Sequence, residues 1–249
     1  MTAALHAALH AYTAELEPAR QRQREREELR RLITLEADPG PLHAFLIQWA
    51  SLSVQLHEPV EQFLAEASRR CASLGESSLA LKLLHVALEE IDLYRLLAED
   101  TRALAQLWND RRLPHLDMTS LLTQPATPAI RRSHAHQREI VLGPSPWALL
   151  ASVFEVHALL ASLAERILQR ATRVLGEEVR PGLRTLRMLG ERRARSVDRA
   201  MEALLSASPE RQPVMVAVAE QTLEFYGEFL RECCVAGFNL SSWQARQQA

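Results

Sequence analysis

Apolar residues recur along almost the whole chain at intervals of three and four, the period of helices with one face against a core. The stretch that organises this pattern is Leu79–Asp100, where Leu81, Leu84, Leu88 and Ile91 form a stripe expected to face inward. Upstream, residues 3–16 predict a short helix ending near Pro18, and 19–36 a second helix that is strongly charged. Asp38-Pro39-Gly40-Pro41 is a turn, and 42–74 reads as a long helical segment divided at Pro59. Gly75-Glu76-Ser77-Ser78 stops that segment and starts the organising helix, which runs past residue 104 with a break expected near Asp100. Residues 111–126 predict the longest loop. Thr127-Pro128 begins the next helix, with a capping hydroxyl followed by proline at the first helical position. Trp147–Leu175 is long and apolar and stops at Gly176; further helices are expected over 183–205 and from Ser208-Pro209 to about Phe238. Nothing reads as paired strands or as a fixed-period repeat. The expectation is a single all-α bundle of about seven or eight helices spanning 1–249, with 1–38 as a charged helical extension and 41–238 as the core.

Composition sharpens this. A hydrophobic share of 47% with 8 glycines and 5% aromatics in 249 residues suits a large helical core better than a sandwich or barrel. The net charge of −2 argues against nucleic acid as a partner. Arg20, Arg22, Arg24 and Arg26 alternate with Glu and Gln, the pattern of a solvated helix face. No secretory signal and no apolar run of membrane-spanning length is expected, so the cytoplasm is the default compartment and no membrane partner is expected. Cys71, Cys233 and Cys234 are odd in number and lack metal-ligand spacing, so they read as buried free thiols. His6 and His10, four apart, suit a metal pair but have no third ligand nearby.

Two polar intrusions mark candidate chemistry. His85, Glu89 and Asp92 share one side of the organising helix, with Tyr94 beside them. Glu155 lies among Val153, Phe154, Val156, Leu159 and Leu160, where a carboxylate needs a cation, hydrogen-bond donors or a proton. His157 points about 200° away from Glu155 on a regular helix, so the two cannot serve one centre, and His157 reads as an interface or surface histidine. In helical bundles, Glu and His projected inward from facing helices form metal sites. His85, Glu89, Asp92 and Glu155 supply part of one.

Three stretches together resemble the heme-oxygenase-like superfamily, which includes thiaminase II, pyrroloquinoline-quinone synthase and heme-oxygenase-like diiron oxidases. They are LAEASRRCASLGESSLALKLLHVALEEIDLYRLLAED, TPAIRRSHAHQREIVLGPSPWALLASVFEVHALLA, and LRTLRMLGERRARSVDRAMEALL followed by AEQTLEFYGEFL. The resemblance implies a ligand role for Glu155, a first ligand or neighbouring acid at His85 and Glu89, and a ligand position at Asp92, where a histidine is usual. It also implies His, Asp and His on the last ligand helix, but those positions hold Leu189, Arg193 and Ser196. Leucine and a guanidinium cannot bind iron. A two-iron centre is therefore not expected, and Arg193 is a candidate to replace the metal charge by pairing with Glu155, Glu89 or Asp92.

The expected function is thus binding or processing of a small molecule by a relative of the non-heme iron oxidases, with an incomplete diiron site and no metal. Glu155, Glu89 and Tyr94 are the catalytic candidates, and His85, Arg193 and Tyr226 the pocket candidates. One alternative is an iron-dependent oxidase or oxygenase acting on an amino-acid-like compound through His85, Glu89, Asp92 and Glu155. Another is a non-catalytic partner subunit, and a homodimer or partner protein is compatible with each. Heme binding through His43, His57 or His85 is a further option, though no one of these histidines stands out.

Overall fold

A computed structural model describes the backbone of residues 2–34, 38–191 and 196–248, and the side chains of 8–34, 38–191 and 196–242. Among the described residues there are eleven α-helices and no strand: α1 Thr2–Arg24, α2 Glu27–Thr34, α3 Gly40–His57, α4 Val60–Ser73, α5 Ser77–Asn109, α6 Met118–Leu122, α7 Pro128–Leu142, α8 Leu149–Leu175, α9 Arg184–Gly190, α10 Ser196–Ala207 and α11 Gln212–Gln248. The all-α bundle is as expected. The helix count exceeds seven or eight partly because α6 forms inside the expected loop and the expected helix over 183–205 appears as two, α9 and α10.

Local chemistry sets several boundaries. Thr127 caps α7 by accepting from the Ile130 amide, and Pro128 takes the first helical position. Glu58-Pro59 separates α3 from α4. Gly176 ends α8 at φ +88°, a conformation that side chains with a Cβ rarely adopt. Two expected breaks do not occur. Helix α5 runs unbroken through Asp100, whose buried carboxylate instead accepts from the Arg184 and Thr185 amides at 3.2 and 2.8 Å, at the start of α9. Helix α1 runs through Pro18, because burial of Leu16, Ala19 and Arg20 around it offsets the one backbone bond that proline removes.

The core lies between α3, α5, α8 and α11, with α4 packed along α5 and α3 packed along α11. A Cβ on Gly237 would stand 2.7 Å from the Phe45 amide nitrogen, so glycine there is what allows α11 to lie so close to α3. The stretch Pro146–Leu175 corrects one expectation. It is long and apolar enough to cross a bilayer, but 83% of its most apolar window is buried within the bundle, as in a core helix.

Candidate functional site

Helix α5 carries apolar residues on two faces, and the one turned inward is not the one the sequence suggested. Leu83, Val86, Ala87, Glu90, Leu93 and Leu97 are buried, whereas Leu81, Leu84 and Leu88 are 62%, 43% and 57% exposed. This rotation puts His85, Glu89 and Asp92 on the solvent side and leaves Tyr94 half-buried. Glu155 has no exposed surface at all. The four proposed ligands His85, Glu89, Asp92 and Glu155 therefore do not share a centre, nor can they line one enclosed pocket. Glu89 has a structural task instead. Its carboxylate lies 3.2 Å from the Ser196 amide and 2.5 Å from the Ser196 hydroxyl, capping the start of α10.

What the inward face delivers is Glu90, which meets one histidine from each of two other helices. His57, the last residue of α3, brings Nδ1 to 3.3 Å from Glu90 Oε2. His157, on α8, brings Nε2 to 3.1 Å from Glu90 Oε1. The two rings stack at 24° with centroids 6.4 Å apart, and one donor atom from each of the three residues lies within 4.8 Å of the others. Burial alone would raise the Glu90 carboxylate. His157 and then His57 outweigh that and hold it well below the usual carboxylate range.

Beside the triad is a cavity of about 20 Å³, lined also by Leu56, Val60, Ser133, Gln137, Ser152, Val153 and Val156. That volume holds about one water-sized ligand. Polar atoms around it are underused. Nδ1 of His157 and Oε1 of Gln137 are buried without a hydrogen-bond partner among the described residues. Orphaned buried polar atoms cost roughly 1–3 kcal/mol each, a cost that a bound water or ion beside these two would relieve. Two imidazoles and a carboxylate are a donor set for a divalent transition metal.

Glu155 belongs to a different centre. Arg20 of α1 grips it bidentately, Nε to Oε2 at 2.7 Å and Nη2 to Oε1 at 2.8 Å, in a fully buried contact. Burial opposes the charge on Arg20, but Glu155 outweighs it and raises the guanidinium's pKa further. Tyr12 lies alongside, and desolvation first, then the Glu155 carboxylate, keep its phenol protonated. The arginine expected to neutralise this acid was Arg193, which lies outside the described residues; Arg20, read as part of a solvated face, is the one that does so. The signal was in the sequence: Tyr12, Leu16, Ala19, Arg20 and Gln23 share the buried stripe of α1, whereas Arg22 and Arg24 do not.

The other singled-out residues are structural or superficial. Tyr226 is buried and accepts a 3.3 Å hydrogen bond from the Trp49 indole nitrogen, apart from the triad. Leu189 is a core residue of α9, and Ser196 begins α10. His43 bonds the Leu104 carbonyl at 3.0 Å, so of the three heme candidates it is committed to backbone, His57 to Glu90, and His85 to solvent.

Comparison with solved structures returns a domain of unknown function with a heme oxygenase-like fold from Shewanella denitrificans OS217, at a TM-score of 0.67 and 13% identity over 92% of this chain and 89% of that one. The chain has a heme oxygenase-like fold. A TenA homolog from Pseudomonas syringae pv. tomato DC3000 matches equally well, with a TM-score of 0.67 and 14% identity over 91% of this chain and 92% of that one. At these identities the heme oxygenase-like likeness is one of architecture. No family model and no curated protein matches the sequence.

Proposed function

We propose that this chain processes a small organic molecule through a single divalent metal ion held by His57, Glu90 and His157, with oxidase or oxygenase chemistry as its use. The observation that carries the reading is the convergence of three buried donors from α3, α5 and α8 on a water-sized cavity where the His157 ring nitrogens have no other partner. A ferrous ion on two imidazoles and one carboxylate, with open positions, is suited to activating dioxygen. Glu90 would supply the negative charge and the two imidazoles nitrogen donors, and Gln137 and Ser152 line the position left for a small ligand. Leu56, Val153 and Val156 keep bulk water out. With room for one water-sized ligand only, an organic substrate requires the cavity wall to shift. At Glu155 the permanent charge of Arg20 takes the place a second ion would need. The three free, buried cysteines support a reducing, cytoplasmic setting.

Elemental analysis after anaerobic ferrous loading tests this. One metal per chain is expected, lost in His157→Gln and His57→Asn and retained in the paired change Arg20→Met/Glu155→Leu. Wild-type protein without metal, or His157→Gln with a full complement, would overturn the proposal. A metal-free result would be in keeping with the metal-independent expectation.

A further inference from the structure

The far half of α8 forms one wall of an open cleft of about 530 Å³, completed by the turn Glu177–Gly182 and by α9. Its lining includes Leu168, Leu183, Thr172 and three arginines, Arg173, Arg180 and Arg187, and no acidic residue. In a chain of net charge −2 this is a local reversal of sign. The nearby negative charge does not cancel it. Arg180 is held by Glu177, Nε to Oε2 at 2.6 Å, while Arg173 and Arg187 have no carboxylate partner among the described residues. The C-terminal ends of α8 and α9 contribute about half a negative charge each. Against three guanidiniums, Glu177 and the two helix ends leave about one positive charge uncompensated, in a concave site where field lines concentrate.

From this we infer that the cleft binds an organic phosphate ester. Guanidinium groups present planar forks of donors matched to phosphate oxygens, and three of them around one cleft suit three terminal oxygens better than the two of a carboxylate. The volume is in the range of small-molecule sites, about 300–1,000 Å³, and exceeds what a bare anion needs. Leu168 and Leu183 give an apolar body something to rest on. Arg173 lies sixteen residues beyond His157 on the same helix, about 24 Å along its axis, so this site is separate from the triad.

Isothermal titration of the full chain with phenyl phosphate at low salt tests the inference, with benzoate as the carboxylate of similar body. Phenyl phosphate is expected to bind with millimolar or better affinity, benzoate more weakly. Arg173→Gln/Arg187→Gln should weaken phenyl phosphate at least about tenfold, as should raising salt to about 0.5 M. All the substituted positions are exposed, and an unchanged Tm confirms that the double variant folds. His157→Gln should bind phenyl phosphate as the wild type does, which separates this site from the metal proposal. No binding at about 10 mM, unchanged binding in the double variant, or benzoate binding more tightly than phenyl phosphate would each overturn it.

Discussion

Glu155 and Glu90 are both fully buried acids in one bundle, yet their partners make them opposites. Glu155 is held by a guanidinium, a cation that protein chemistry does not deprotonate. Glu90 is held by two imidazoles, side chains whose ring nitrogens also serve as metal ligands. The first pair is therefore a permanent bolt between α1 and α8, with no charge left over for a ligand. The second keeps two ring-nitrogen donors beside the acid, the set that the proposed metal centre would use. A buried carboxylate by itself does not identify a functional site; the groups that hold it do.

The largest effect should come from breaking the bolt. Arg20→Ala or Glu155→Ala strands a charge in the core and should cost about 3–5 kcal/mol in urea denaturation, whereas Arg20→Met/Glu155→Leu should recover most of it. Recovery would mark the pair as structural; a single variant as stable as wild type would mean the contact is not the bolt described here. Next comes His43, a buried imidazole with no acid beside it. Burial first, opposed by the Leu104 carbonyl, lowers its pKa from 6.5 to about 4. Between those values the unfolded chain binds a proton that the folded one does not. Stability is thus full above pH 6.5 and declines by about 3 kcal/mol as pH falls to 4. His43→Gln should flatten that acid limb in a pH series of unfolding curves; an identical limb would remove His43 as its cause. The smallest effects belong to the outward face of α5. Glu89→Ala should cost about 1 kcal/mol through the lost cap on α10. His85→Ala should change stability by less than about 0.5 kcal/mol and leave metal content untouched. Metal lost on replacing His85 would return the candidate centre to the outer face.

The ends of α3, α7 and α8 were legible because proline, threonine and glycine act there through local backbone geometry that no distant contact overrides. The facing of α5 was not. Leu81, Leu84 and Leu88 make as regular a stripe as Leu83, Val86 and Leu93, and periodicity alone cannot rank two apolar faces. Choosing the wrong one exchanged Glu90 for its neighbour Glu89. On α8, Glu155 and His157 do point to different places, as helix geometry requires, but His157, which reads as an interface or surface histidine, is buried. Their partners, Arg20 and Glu90, are set by tertiary packing. His57 carries little signal of its own beyond the adjoining Pro59.

Arg20 and Glu155 are 135 positions apart, and α1 also reaches the last helix, with Gln23 meeting Glu224 across 201 positions. Helix α1 is thus fastened to α11, far along the chain. At about 5–20 residues per second, roughly 10–45 s separate synthesis of α1 from completion of α11. Within that interval Arg20 waits for Glu155, and Gln23 for Glu224. Because its partners Glu155 and Glu224 lie on α8 and α11, α1 completes its contacts only after both of those helices have been made.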